Sequence, residues 1–563
     1  MELLQSLFGE SVILPIFLAV AIGYGVGRIK IGQLKLGGLA GTLIAAIFIG
    51  LYGVQTDEAI KSIAFALFIY SLGFVSGPQF FTSLGRETLG QVHLAVFSSF
   101  VVFSTIWLLA LILDLDKGTA AGLLAGATTE SASIGTAGEA LKSIDLPQET
   151  INKLQANIAV TYAVTYLFGM TLTVFFTSRF APRLLKVKDF KGAAKDLEKE
   201  LGADSGLEAG QFEFIRKIIA RIYRVEDGFA DGLPIHEFKK RYSHTVVFEQ
   251  ISRDGTLHEP TPDFVLEPND LVTLVGLPEF VLEAGKILGT EESLESVETT
   301  LVGEIRDVVI TNKAIANKSV ATLREEIDPE KRRGAYAVRI TRMERDIPLM
   351  ARTKVHLGDV VRLIGIPEGV KSLADELGHT LSPNEGVDYI YLALGIITGI
   401  IIGSIETTIG GSTIELGLGG GCLISGLVFG WFRARHPTFG NMPSQTAAHL
   451  RDFGLSVFIA CIGLAAGPQA LEVIRDQGLL LPVLAVTIVS ISLISSMLYA
   501  KYVVKMNPVL ITGALAGLLT CTPALNASVT EAESEMPVLG YTVPYAIANV
   551  LLTLLGPVIV LTV

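Results

Sequence analysis

Charge is scarce in this chain. Only 18% of its 563 residues are Asp, Glu, Lys or Arg, against 50% hydrophobic residues, and the mean hydropathy is +0.52. A water-soluble fold of this length needs more charge to cover its surface, so an all-soluble protein is excluded. Cysteine is almost missing: Cys422, Cys461 and Cys521 all lie in apolar segments. That rules out a disulfide framework and a cysteine metal site, and leaves buried thiols. No basic stripe runs along the chain, which carries a net charge of −12, so nucleic acid is not a partner. Phosphate loops, glycine-rich dinucleotide turns and Cys or His clusters are also missing. With no nucleophile–base pair or metal set in the apolar segments, neither catalytic residues nor a cofactor are expected. Residues 1–10 lack a basic region, and Arg28 and Lys30 follow the first apolar run. That order of charges marks a retained anchor and not a cleavable leader.

Long apolar runs and glycine are what the chain has in plenty. Its 57 glycines suit helices packed closely in lipid. Apolar segments fall near 11–27, 36–53, 61–81, 91–113, 119–141 and 154–178, and again near 387–405, 416–432, 451–471, 479–500, 510–532 and 541–562. Most are long enough to span ~30 Å of hydrocarbon as helix. The layout is a first membrane half (1–178), a cytosolic linker with a charged helix (179–213), two soluble repeats (214–289 and 300–378) and a second membrane half (387–563).

The membrane halves repeat one another. Phe68-Ile-Tyr-Ser-Leu-Gly73-Phe-Val-Ser-Gly77-Pro78-Gln79 lies over Phe458-Ile-Ala-Cys-Ile-Gly463-Leu-Ala-Ala-Gly467-Pro468-Gln469, an offset of 458 − 68 = 390. Behind each lies a hydroxyl-rich stretch, Thr128-Thr129-Glu130-Ser131 and Thr520-Cys521-Thr522-Pro523, and Tyr162-Ala163 matches Tyr545-Ala546. Lys and Arg in short loops mark the cytoplasmic side. Arg28, Lys30, Lys35, Arg86, Arg179, Arg183, Lys186 and Lys188 in the first half, and Arg433, Arg435, Lys501 and Lys505 in the second, give five crossings per half with both termini outside. The sixth segment of each half, 119–141 and 510–532, is then a re-entrant hairpin. The fold expected is a polytopic α-helical membrane protein of two inverted repeats, each with about five crossing helices plus one re-entrant hairpin. Between them sits an inserted α+β cytosolic module. Such repeats are the architecture of secondary transporters.

Non-helical backbone survives at membrane depth only where it is buried in protein or lines a wet cavity. The hairpin tips and the two Gly-Pro pairs, expected to interrupt or end their helices, are therefore the candidate binding residues. Half-helix N-termini at the tips would face a solute carboxylate, with Thr129, Ser131, Thr520 and Thr522 adding hydroxyl donors. Each feature also has a plainer account. Thr and Ser back-bond to their own helices, and glycines pack helices tightly. Glu130 is the anomaly, because an ionisable group at depth is costly. It is a candidate for a substrate ammonium or a coupling proton, the alternative being an exposed hairpin edge. The soluble repeats align as Val265-Leu-Glu-Pro-Asn269-Asp270 over Val355-His-Leu-Gly358-Asp359. Each is preceded by a strand ending near Arg253 or Arg342, with a hairpin turn expected at the Asn/Gly-Asp step.

Arg433-Ala-Arg-His-Pro-Thr-Phe-Gly440, Thr520-Cys-Thr-Pro523-Ala and the closing Tyr545-Ala-Ile-Ala-Asn549-Val join the paired Gly-Pro segments in a wider pattern. With them the chain resembles the aspartate:alanine exchanger family of bacterial secondary transporters over nearly its full length. The resemblance implies exchange of amino acids such as aspartate and alanine, or of dicarboxylates, across the inner membrane by a homodimer in contact with lipid. It adds Cys521 and Asn549 to the substrate-site candidates. It also makes the soluble repeats similar to the C-terminal ligand-binding (RCK-C-like) domains of potassium-conductance regulators, with a regulatory nucleotide as partner. The first tip departs from the family's Thr/Ser-x-Thr-Pro pattern, reading Thr129-Glu130-Ser131-Ala132. A ligand-gated channel or cation antiporter is the competing function, although no potassium-filter sequence occurs.

Overall fold

A computed structural model of the chain describes residues 11–31, 34–35, 37–54, 56–84, 88–187, 189–200, 219–226, 234–242, 246–276, 278–293, 303–328, 334–342, 345–347, 352–381, 386–409 and 412–563. Arg86, Lys188, the linker stretch 201–213 and the repeat starts 214–218 and 300–302 lie outside the described residues. The chain divides into two units. One comprises Met1–Ala209, Val387–Phe432 and Met442–Val563, and the other Gly210–Gly386 with Arg433–Asn441.

The first unit opens with α1 (Ile13–Gly27), a two-stranded turn of β1 (Lys30–Ile31) and β2 (Leu34–Lys35), and α2 (Gly38–Gly50). Then come α3 (Glu58–Ser83), α4 (Leu89–Leu113), the short pair α5 (Lys117–Ala127) and α6 (Ala132–Lys142), and α7 (Gln148–Phe175). α8 (Ala181–Leu184) and α9 (Phe190–Glu200) close this part. Local chemistry sets the starts. Asp57 accepts from the amides of Ala59 and Ile60 at the head of α3, and Asp116 accepts from Thr119 N at 3.0 Å at the head of α5. α9 is the charged helix expected in the linker. Its Phe190, Ala193, Ala194 and Leu197 cover an apolar patch, and Lys191 pairs with Glu533.

The second unit holds β3 (Ile219–Val225), α10 (Ile235–Tyr242), β4 (Val246–Arg253), β5 (Thr256–His258), β6 (Leu271–Gly276), α11 (Pro278–Leu288) and β7 (Gly289–Glu292). The second repeat follows with β8 (Glu304–Ile310), α12 (Val320–Glu326), β9 (Ala335–Arg342), β10 (Arg345–Ile347), β11 (Val360–Gly365), α13 (Pro367–Leu377) and β12 (Gly378–Leu381). The two sheets have one topology, β5-β4-β6-β3-β7 and β10-β9-β11-β8-β12, and every pairing is antiparallel. Each repeat ends one strand beyond the expected 289 and 378, because β7 and β12 return onto the first strand of their sheet. The Asn269-Asp270 and Gly358-Asp359 turns lead into the central strands β6 and β11 rather than joining two paired strands. Their aspartates are buried instead, each held by two bonds from one arginine: Arg253 to Asp270 at 2.8 Å, Arg342 to Asp359 at 2.7 Å. A buried carboxylate needs such a partner, and the repeat supplies it twice.

The chain returns to the first unit with α14 (Tyr389–Gly403), β13 (Glu406–Ile409), β14 (Ser412–Glu415), α15 (Gly417–Arg435), α16 (Ser444–Gln477), α17 (Leu480–Tyr499), α18 (Pro508–Leu518), α19 (Thr522–Ala532) and α20 (Met536–Thr562). Element by element this repeats the first half, including the small strand turn after the first helix. Among the described residues, six helices are long and apolar enough to cross a membrane: those at Glu58–Ser83, Leu89–Leu113, Gln148–Leu184, Gln445–Ala470, Leu480–Val504 and Met536–Thr562. Each half therefore holds, among the described residues, three helices of that length where five crossings were expected, and α1, α2 and α14 are shorter apolar helices. α2, with 13 residues, reaches about 20 Å, short of the ~30 Å of hydrocarbon.

The Gly-Pro pairs are corrected by the structure. α3 runs through Pro78 to Ser83 and α16 runs through Pro468 to Gln477, so neither helix is interrupted or ended there. The glycines are there for packing. A Cβ on Gly77 would stand 2.3 Å from the Leu427 carbonyl oxygen of α15, and one on Gly467 would stand 2.3 Å from the Gly50 carbonyl carbon of α2. The contacts are reciprocal, each long helix of one half lying on the short helix of the other. Where α3 and α16 cross, the Phe65 and Phe458 rings stack with centroids 4.7 Å apart.

Candidate functional site

The segments 119–141 and 510–532 are broken helices, as their glycine and hydroxyl content suggests. α5 and α6 are separated by Thr128–Ser131, while α18 and α19 are separated by Leu519–Cys521 in the same way. At each break a threonine takes the left-handed backbone, Thr129 at φ 57° and Thr520 at φ 50°. A β-branched residue adopts that conformation only where its surroundings impose it. The turns match bond for bond. Glu130 N donates to Ala125 O and Cys521 N to Ala516 O, both at 2.9 Å.

The two tips touch. Thr129 Oγ1 donates to Leu519 O at 2.8 Å, and Thr520 Oγ1 donates to Thr128 O at 3.1 Å. Each hydroxyl thus satisfies a carbonyl that the broken helix of the other half leaves without an intrahelical donor. Thr128 Oγ1, by contrast, bonds back to Leu124 O at 2.6 Å, the plainer role for a membrane threonine.

Glu130 is buried, with 4% of its surface exposed, so the exposed-edge reading is excluded. Its Oε1 accepts from Ala132 N at 3.1 Å, and Ser133 Oγ donates to the Glu130 carbonyl at 2.7 Å. Oε2 is buried with no hydrogen-bond partner. The N-terminus of α6 is thereby capped by the protein's own carboxylate. α19 begins differently: Cys521 brings no charge, Pro523 has no N–H, and both Thr522 and Pro523 are exposed. Thr520 of the opposite tip and Arg451 of α16 are the side chains that act on the Glu130 carboxylate.

Tyrosines brace both tips, and here the sequence match is off by one turn. Ser131 Oγ lies 2.8 Å from Tyr162 OH, and Thr522 Oγ1 lies 3.1 Å from Tyr541 OH. Tyr162 is thus the counterpart of Tyr541, and Tyr166 of Tyr545; the two pairs have ring centroids 5.4 and 4.9 Å apart. Tyr541 was missed because a Tyr-Ala dipeptide is a weaker register mark than a hydrogen bond to the tip. Asn549, the remaining candidate, is buried on α20 with its Oδ1 unpartnered. The structure therefore brings Thr128, Thr129, Glu130, Ser131, Thr520, Cys521 and Thr522 into one region, with Pro523 adjoining in sequence, while Gly77 and Gly467 pack against α15 and α2, and Pro78 (buried) and Pro468 (exposed) stand within unbroken helices.

Duplicated apolar halves whose broken helices meet tip to tip define a membrane transport protein. Residues 15–181 and 391–561, the two membrane halves, match the aspartate–alanine exchanger model described as a predicted permease membrane region. The chain belongs to that family of permeases. It is 38% identical to an uncharacterized transporter of Zymomonas mobilis over 565 aligned residues, covering 100% of this chain and 99% of the relative. An uncharacterized transporter of Bradyrhizobium diazoefficiens is also 38% identical, over 97% of this chain and 96% of its own length. A further uncharacterized transporter, from Francisella tularensis, is 34% identical with the same coverage. No solved structure matches the chain.

Proposed function

We propose that this transporter is an antiporter exchanging small carboxylate-bearing solutes, aspartate and alanine or dicarboxylates, across the bacterial inner membrane. One observation carries the reading: Glu130, buried with an unpartnered oxygen, stands on one of two broken-helix tips that bond to each other. An amino acid satisfies both tips, its ammonium on Glu130 and its carboxylate at the uncharged start of α19. The halves are read as inverted repeats that move against each other around this point. Vesicles loaded with aspartate and carrying the purified protein should take up labelled aspartate or alanine faster than unloaded ones. Equal uptake in both removes obligate exchange.

Glu130 also favours a second reading, cation or proton antiport, in which Oε2 takes a cation instead of a solute ammonium. Pumping of protons or Na⁺ without any organic solute would decide for it, and single-channel currents in a planar bilayer would decide for a channel. The twin sheet domains are read as RCK-C-like sensors on the cytoplasmic side that bind a regulatory nucleotide. Calorimetry that gives no heat across a nucleotide panel removes that role. The working unit is a homodimer, for which light scattering should return twice the chain mass of 60.2 kDa.

A further inference from the structure

A cavity of about 240 Å³ lies in the membrane unit beside the first hairpin, between α3, α6, α7 and α16. Its wall includes Ile134, one turn beyond Ser131 on α6, and runs to Glu139 in the last turn of that helix. At ~30 Å³ per water it would hold about eight waters, or one small amino acid. Its cation is Lys61. The side chain is 9% exposed, and Nζ donates to Glu58 Oε1 at 2.5 Å. An ammonium has three donors, and among the described residues this is the one bond Lys61 makes. Glu58 is shared, since its other oxygen takes Lys142 at 2.9 Å, and Lys142 also reaches Glu139 at 3.2 Å. Across the cavity, Gln469 Oε1 is buried without a donor. A buried ammonium with spare donors and a buried carbonyl with spare lone pairs, on one cavity, are complementary to a carboxylate and a hydrogen-bond donor on one small molecule. The position also repeats: 61 + 390 = 451 makes Arg451 the counterpart of Lys61.

We propose that this cavity is a second solute subsite, in which Lys61 holds the carboxylate of a small amino acid and Gln469 takes its ammonium before the molecule reaches the tips. The subsite rests on the exchanger reading of those tips. Glu58 competes with the solute for Lys61, so the two residues have opposite effects on affinity. In proteoliposome exchange of aspartate, Lys61→Gln should raise KM about tenfold or more with kcat within about twofold, the loss of one charge-assisted bond. Lys61→Arg should recover most of that loss, and Glu58→Gln should lower KM. If Lys61 only anchors the ion pair, both neutral variants shift KM the same way or not at all, and the subsite is overturned while wild-type exchange stands. Calorimetry on the detergent-solubilised full chain separates the readings further. Binding of aspartate or alanine that is lost in Lys61→Gln keeps the subsite even if wild-type exchange fails. No binding of aspartate, alanine or succinate to the wild type overturns it. Size-exclusion profiles matching the wild type certify that each variant is folded.

Discussion

The two tips share a backbone and differ in charge. Glu130 and Cys521 are equivalent positions, 521 − 130 = 391 residues apart, with the same amide bond five residues back and the same left-handed threonine before them. The first tip carries a buried carboxylate that caps its own helix. The second carries a buried thiol, and its flanking Thr522 and Pro523 are exposed. Duplication preserved the frame that brings two broken helices together, and divergence made the pair electrically lopsided. A lopsided pair can hold a molecule with unlike ends in one orientation, which two identical tips could not.

Breaking the frame should cost most. A Cβ on Gly513 would lie 1.7 Å from Pro537 O, so Gly513→Leu forces α18 off α20 and should leave no folded, monodisperse protein on size exclusion. Gly138→Ala is the folding control: its Cβ meets nothing nearer than Gln155 Nε2 at 3.9 Å, and it should elute as the wild type does on size exclusion. Removing the charge asymmetry comes next. Glu130→Gln should lower kcat/KM for amino acids by roughly 10- to 100-fold, the worth of a charge-assisted bond of about 1.5–3 kcal/mol, while the variant still folds. Cys521→Ser should stay within about twofold in the same counterflow assay. Equal losses in the two variants would abolish the distinction between the tips. The smallest effect belongs to Lys191→Ala. Its partner Glu533 is about half exposed, so the melting temperature should fall by no more than about 2 °C.

Much of this arrangement could be read from the chain alone, because its signals are local. Apolar runs placed the helices to within a few residues, and the glycine and hydroxyl content of 119–141 and 510–532 marked the breaks. What escaped depends on distant partners. Pro78 and Pro468 read as breaks, yet both helices run on, because the glycine before each proline packs against a helix of the other half and holds the axis in place. The Tyr541 brace escaped because its meaning lies in Thr522, a turn away on another helix. Burial of Glu130 depends on what closes over the tip, and no window of sequence around it contains that information. The segments 11–27, 36–53 and 387–405 were overextended because apolar residues continue past the ends of α1, α2 and α14.

The chain leaves its first membrane half through α9, and α9 lies on α18, α19 and α20, the hairpin and last helix of the second half. The end of the first half is thus tied to the broken helix of the second. Phe190 and Leu197 grip Val509, Leu510 and Met536, so the two halves share one apolar patch at the root of the second broken helix. A displacement of α9 would therefore disturb the uncharged tip before it disturbed the acidic one.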